Sequence, residues 1–345
     1  MKNFIKKIAF VYNYSDPEAI ENEIADIKRY DLDIDSFNLS KYFSKWSFIE
    51  FELKYSFNDY EVFQQVQSLR KDLDNFDTII IYGTLHMFPR LIFEQFNDKN
   101  IIYWASDDPI ATTAKTLPYA MASDIVLTQT PLLNETQSHA KFLTNLTGKP
   151  VLYHQFGYLE NWLSGISEEK IIYGDRNIDI SFLGAPAWRK DLLLSCKRVF
   201  GRRLKIYSND WNFLRHYFYD LLKHGVSHYV PKARNASDVY VNSKMSINIS
   251  PLGGPSAIRT WHVPICGAAM LCDHENGLKE IFKEDNLVVP FKFMNDEDLI
   301  SKIDWLLTNE NKAKEIGING YFYTKNNLRF SKLLAEKINY IKENF

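Results

Sequence analysis

Ser-Pro-Leu-Gly-Gly-Pro-Ser-Ala-Ile-Arg-Thr-Trp-His-Val-Pro-Ile-Cys-Gly-Ala-Ala-Met-Leu-Cys-Asp, residues 250–273, decides how this chain is read. Residues 246–249 before it alternate well enough for the end of a strand. Gly253, Gly254 and Pro255 break that strand and predict a helix opening near Ser256. Gly267 closes the helix, and residues 268–272 have a short strand's length and apolarity. A glycine turn feeding a helix presents free backbone N–H groups, and with the helix dipole these favour a phosphate. Arg259, about one turn in, can add a charged fork to the same phosphate. The same pattern also fits an ordinary βαβ crossover whose glycines only make turns. Pattern alone leaves both readings open. Pro264, inside the helix, removes a backbone hydrogen bond and should bend or end it.

Composition bounds what surrounds this stretch. The 345 residues allow one large or two medium domains. Hydrophobic content of 46% is ample for real cores, and the net charge of −2 does not call for a nucleic-acid partner. Cys196, Cys266 and Cys272 show no paired spacing, which suits a reducing, cytoplasmic setting. No apolar run is long enough to span a bilayer, so no transmembrane segment is expected, although peripheral membrane association stays open. The basic start at residues 2–7 followed by Ile-Ala-Phe-Val resembles a signal opening. The apolar run is too short for one, and it reads as a first strand.

Strand and helix signals alternate through the first half. Strands are expected at residues 8–12, 48–55, 77–82, 101–104, 124–128 and 150–153. Helices are expected from Pro17, capped by Asp16, and at 59–73, 86–96 and 132–146. This βαβα rhythm implies a parallel sheet with helices on both faces, whose chemistry lies at the carboxyl ends of the strands. Two features fall there: Gly83-Thr-Leu-His86 and Trp104-Ala-Ser-Asp107-Asp108-Pro109. A carboxylate in such a place can take the proton of a hydroxyl nucleophile, which typically contributes ~10²–10⁴-fold. Asp107 reads equally as a helix N-cap, and Asp108 directly precedes a proline. Adjacent carboxylates point apart and no further cluster accompanies them, so no metal site is expected. His86 is a loop histidine or a base.

Residues 164–175 look like a linker, after which the rhythm restarts. Strands are expected at 179–184, 204–207, 226–230, 245–249 and 286–289. Helices are expected at 188–199, 211–223, near Ala236, at 278–282 and up to about 307, with a terminal amphipathic helix at 330–345. Gly184 ends the first strand of this half. Arg189 follows it closely, at the same carboxyl edge as Arg259, and two arginines on one diphosphate make chemical sense. Residues 189–234 hold eleven Lys/Arg against three acids. Such an excess is either a solvated helical face or an attraction for a polyanion. The expected architecture is α/β with two Rossmann-like doubly wound domains facing across a cleft. They cover residues 1–160 and 175–325, and a helix at 326–345 is expected to pack back on the first.

At these residues the chain resembles the CgeB-like branch of the GT-B glycosyltransferases. The resemblance rests on Asn248-Ile249-Ser250, Ser256, Arg259, Trp261, His262, Gly267 and Met270-Leu271-Cys272-Asp273. It continues in Gly277-Leu278-Lys279-Glu280-Ile281-Phe282 and Asp296-Glu297-Asp298-Leu299. It covers most of the second half by motif and the first half by rhythm only. The chain is also similar to phage DNA β-glucosyltransferase, in which an aspartate after a Tyr-rich strand is the base; that favours Asp107 over Asp108. His262 departs from the family, which has Glu at this position to hold donor ribose hydroxyls. The resemblance implies a metal-independent transferase with a nucleotide-sugar donor, UDP-linked, and no other cofactor. Its donor site would hold Gly184, Arg189, Gly253, Gly254, Ser256, Arg259, Trp261, His262 and Glu280. Its acceptor would be a saccharide, a lipid-linked sugar, a protein, or hydroxymethylated DNA bases as for the phage enzyme. The departure at His262 leaves a non-catalytic nucleotide-sugar binding protein as a third class.

Overall fold

The computed structural model of the chain describes residues 5–14, 16–43, 59–82, 95–105, 116–130, 139–184, 189–208, 227–228, 233–250, 258–273 and 275–345. It divides into two compact units: Met1–Phe156 with Phe330–Phe345, and Gly157–Arg329.

The first unit is built on a parallel six-stranded sheet in the order β2-β1-β3-β4-β5-β6. Its strands are β1 (Lys7–Tyr12), β2 (Asp33–Asn38), β3 (Thr78–Tyr82), β4 (Asn100–Ala105), β5 (Ile125–Thr128) and β6 (Val151–Tyr153). β1, β3 and β4 are buried almost throughout, as strands covered on both faces must be, and this is why they read as unbroken apolar runs. Burying one Ile or Val contributes roughly 1.5–3 kcal/mol, so Ile79, Ile80 and Ile81 alone form a strong central strand. Asp16 caps helix Pro17–Ile27 by accepting from the Ala19 N–H, with Pro17 at its first position. Asp59 caps helix Tyr60–Asp72 by accepting from the Glu61 and Val62 N–H groups.

The last helix of the chain, Phe330–Asn344, belongs to this unit and packs on helix Pro17–Ile27. Phe330 lies against Phe10, Trp104 and Phe156. Ser331 donates its N–H to Glu23 at 3.2 Å and its hydroxyl to Asp26 at 2.9 Å.

The second unit repeats the plan with the order β12-β11-β10-β7-β8-β9, again all parallel. The strands are β7 (Ile178–Leu183), β8 (Leu204–Ser208), β9 (Ser227–His228), β10 (Ser243–Asn248), β11 (Ala269–Cys272) and β12 (Val289–Pro290). Helices Lys190–Phe200 and Asp296–Thr308 bury Leu192, Leu193, Cys196, Leu299 and Ile303 in the core shared with β7, β10 and β11.

Several elements differ from expectation. β2 is an edge strand of Asp-Ile-Asp-Ser-Phe-Asn in which only Ile34 and Asn38 are buried, so its polar composition hid it. Helix Leu117–Ala122 was likewise not anticipated. The supposed linker at 164–175 contains helix Glu168–Tyr173, capped by Ser167. Helix Glu310–Asn327 was missed because two glycines and several asparagines argue against a helix. The glycines are there for approach: a Cβ on Gly317 would collide with the Gly267 carbonyl, and one on Gly320 would lie 3.0 Å from the Leu287 carbonyl. The strand expected at 48–55 and the helix expected at 211–223 lie outside the described residues.

Candidate functional site

The deciding stretch follows β10. Its described helix is Arg259–Ile265, which begins three residues after Ser256, with Ile258 at the cap position and no side-chain cap. Pro264 does end it: the helix stops one residue later, and Gly267, at φ +72°, turns the chain into β11. Pairing in register sets Asn248 beside Cys272, while β7 lies on the other flank of β10. The carboxyl ends of β7, β10 and β11 therefore deliver Gly184, Ile249 and Asp273 to one edge of the sheet.

Arg259 lies across that edge. Its Nη1 donates to the Leu183 carbonyl (2.9 Å), its Nη2 to the Ile249 carbonyl (3.2 Å), and its Nε to Asn248 Oδ1 (3.3 Å). Its guanidinium carbon sits 5.4 Å from the centre of the Phe182 ring. Three of the five N–H groups of an arginine are thus engaged by the chain, and each Nη keeps one for a further acceptor. Asn248 in turn donates from Nδ2 to Thr260 Oγ1 at 3.0 Å, which locks the amide's orientation.

Gly184 is the reason that the guanidinium can lie there. At φ +141° it adopts a backbone that side-chain-bearing residues rarely reach, and a Cβ on it would stand 2.5 Å from Arg259 Nη1.

Arg189, 8% exposed, converges on the same place, donating from Nε to the Ile249 carbonyl at 2.8 Å. One carbonyl thus accepts from both arginines. Burial lowers the pKa of both, Arg189 to about 10, and the Arg259 charge lowers that of Arg189 further. Desolvated cations held this way are poised to gain from an anion. Asp273 closes the group: it is 3% exposed, and its Oδ1 accepts the Ser250 N–H at 3.0 Å. Burial pushes its pKa up to about 7, against the pull of that N–H and of the two arginines.

His262 and Trp261 face the interior. The His262 ring stacks on Trp162 at 4.2 Å and 16°, meets Tyr240 edge-on at 5.1 Å, and has Ser237 Oγ 2.7 Å from its Nε2. Burial lowers its pKa to about 3, so it is neutral. A ring engaged in this way cannot also hold a ribose without leaving its site, so His262 is a packing group here. Trp261 is 1% exposed. Glu280 sits half-buried in helix Glu275–Ile281. Gly253, Gly254, Ser256, His86, Asp107 and Asp108 lie outside the described residues. β3 ends at Tyr82 and β4 at Ala105, paired side by side, and these ends lead toward His86 and Asp107.

The basic segment is partly internal. Arg189 and Lys197 are buried, Lys197 donating to the Leu204 carbonyl, and Arg203 bonds Asp179 at 2.8 Å. Arg198, Arg202 and Arg203 are exposed. Among the described residues no cluster of His, Cys, Asp or Glu could hold a metal ion, and no helix is long and apolar enough to cross a membrane.

Asp273 and Asn248 were visible in the motif but carried no role there. Ser237 and Trp162, distant in sequence, gave no signal at all.

Residues 189–333 match the family described as glycosyl transferase-like. No curated protein sequence matches the chain. Among solved structures, the chain is similar to Anabaena HepE in complex with UDP and glucose, with a TM-score of 0.64, 9% identity, and coverage of 99% of this chain and 100% of that one. It is similar to sucrose-phosphate synthase from Thermosynechococcus elongatus, at 0.65 and 9% identity over 98% of each chain. A glycosyltransferase from Rickettsia africae follows at 0.60 and 11% identity, again over 98% of each. The fold is that of the GT-B glycosyltransferases, two parallel-sheet α/β domains.

Proposed function

We propose that the chain transfers a sugar from a nucleotide-sugar donor, UDP-linked, to an acceptor hydroxyl. The observation that carries this reading is the pair of guanidiniums at the carboxyl edge of the second sheet, where doubly wound folds bind ligands. Fold alone does not define chemistry; the arginine pair inside a glycosyl transferase-like segment is what points to a diphosphate. HepE, similar in fold over its whole length, was crystallised with UDP and glucose, which fits a donor of that kind.

In this mechanism Arg259 offers its two remaining N–H groups to the departing diphosphate, and Arg189 adds its charge from behind. Negative charge grows on the leaving phosphate as the glycosidic bond breaks, so preformed cations favour the transition state over the ground state. The Gly253–Gly254–Ser256 turn supplies backbone N–H groups, and Glu280 holds ribose. Asp107 takes the proton of the acceptor hydroxyl, with Asp108 and His86 as the other candidates. No step requires a metal. Membership of the CgeB-like branch rests on the motif around Arg259. The acceptor is a saccharide, a lipid-linked sugar or a protein; the scattered basic residues give little support to DNA.

A thermal-shift screen over nucleotide sugars tests the reading, because a ligand at 100 Kd adds about 2.7 kcal/mol to stability. UDP-sugars should raise the melting temperature, and release of UDP should follow with an acceptor. A panel in which no nucleotide sugar stabilises the protein rejects the proposal.

A further inference from the structure

Asn248 ends β10 with a side chain that is fully buried and engaged at both of its polar atoms. Its Oδ1 accepts from Arg259 Nε at 3.3 Å, and its Nδ2 donates to Thr260 Oγ1 at 3.0 Å. Two sulfurs of β11 lie near the same nitrogen, Cys272 Sγ at 3.5 Å and Met270 Sδ at 3.6 Å. The amide can face only one way. An arginine Nε can only donate, so it must meet the oxygen, which leaves the amide N–H groups for the hydroxyl and the sulfurs. The other two acceptors of the guanidinium are the Leu183 and Ile249 carbonyls. All three oxygens that hold it are therefore uncharged. An aspartate has the same shape as asparagine and would accept from Nε more strongly. Orientation of the arginine alone would be served at least as well by aspartate, so the neutral amide calls for a further reason.

We propose that Asn248 is a positioning residue of the donor site, whose amide fixes the plane of the Arg259 guanidinium without neutralising it, so that the charge stays available to a diphosphate. This rests on the donor reading above. Nε and both Nη atoms share one plane, and an acceptor at each of the three holds that plane in place. The remaining N–H of each Nη is then directed before any ligand arrives, and a donor ordered in advance costs less to engage. Through its nitrogen the amide also ties the cation to β11 and to Thr260, the next residue of the helix. The setting of the guanidinium is thus borne by β11 and by the helix itself. A carboxylate at position 248 would pair with the same cation and oppose the negative charge of the diphosphate.

Calorimetric titration of the full chain with UDP at pH 8, alongside urea unfolding, tests this. Asn248→Asp keeps the shape and the acceptor but adds a charge beside Arg259, and it should bind UDP roughly tenfold more weakly. Asn248→Ala loses the acceptor at Nε and should weaken UDP by about the same factor. In an Arg259→Ala background, Asn248→Ala should cause no further loss, because the amide acts through the arginine. A merely structural amide would lower the unfolding midpoint of both Asn248 variants yet leave their UDP affinity at the wild-type value, and that overturns the inference. Losses that add up in the double variant overturn it too. NMR of the wild type, labelled with nitrogen-15 at arginine Nε, gives a reading that needs no folded Asn248 variant. The Arg259 Nε–H, assigned with Arg259→Lys, should exchange slowly with water before UDP is added; exchange as fast as from an exposed arginine overturns the inference. Arg259→Ala separates the two levels. If it binds UDP as the wild type does, the donor reading itself fails; if it binds weakly while both Asn248 variants bind normally, this inference alone fails.

Discussion

Gly184→Ala is the sharpest perturbation of the donor site, because it adds one methyl group and touches one functional atom. The new Cβ would stand 2.5 Å from Arg259 Nη1, well inside van der Waals contact. The guanidinium is the far end of a flexible side chain, so it moves rather than the backbone, and its 2.9 Å bond to the Leu183 carbonyl breaks. A hydrogen bond from a charged donor contributes about 1.5–3 kcal/mol. If that bond is what fixes the guanidinium for the phosphate, UDP affinity should fall roughly ten- to hundredfold. A second cost is conformational: Gly184 sits at φ +141°, and holding Ala there takes about 1–3 kcal/mol from folding stability. The two costs are read separately, affinity by calorimetry with UDP and stability by denaturant unfolding. Gly184→Ala combined with Arg259→Ala should bind no worse than Arg259→Ala alone, since the methyl acts through the arginine. Undiminished UDP affinity in Gly184→Ala would refute the reasoning that Arg259 is held in place by this glycine for the diphosphate.

Other predictions concern the framework. Arg176 donates to the carbonyls of Ile171, Tyr240, Ser243 and Cys266, gathering three helix ends at one guanidinium; Arg176→Met should cost at least about 3 kcal/mol in urea unfolding, through the carbonyls left unpaired. His262→Glu restores the family residue at this position yet places a carboxylate between Trp162, Tyr240 and Ser237; it should lower the melting temperature rather than raise donor affinity. The same ring sets a pH dependence. Its folded pKa of about 3 lies below an unfolded value near 6.5, so its stability contribution is complete above about 6.5. It is lost as pH falls, at about 1.4 kcal/mol per unit, while the unfolded chain alone binds the proton. The raised pKa of Asp273, about 7, acts with the opposite sign between roughly pH 4 and 7. Comparing wild type with His262→Gln by unfolding from pH 4 to 7 therefore isolates the histidine: the stability of the wild type relative to the variant should rise by about 1.4 kcal/mol per pH unit up to about pH 6.5 and then level off.

Much of the architecture was legible because it is written in unbroken apolar runs. β3 and β4 are buried on both faces, and Asp16 and Asp59 cap helices by an oxygen one can read directly. What was hidden follows from one-sided burial and close approach. β2 has a polar composition, and Gly317 looks like a helix breaker until the Gly267 carbonyl is seen against it. The site divides the same way. Arg189 and Arg259 were expected at one carboxyl edge, and they meet there on the Ile249 carbonyl. Their backing by Gly184 and Asp273 depends on side chains reaching between strands that are far apart in sequence. His262 was read from its neighbours in the motif, but its surroundings come from Ser237 and Trp162, which no local pattern connects to it.

The most direct test of the donor site is a crystal structure of the protein with UDP. The diphosphate should lie within hydrogen-bond distance of the Arg259 guanidinium, in front of the carboxyl ends of β7 and β10. UDP bound elsewhere, with Arg259 still turned onto Leu183 and Ile249 and no phosphate against it, would contradict the account.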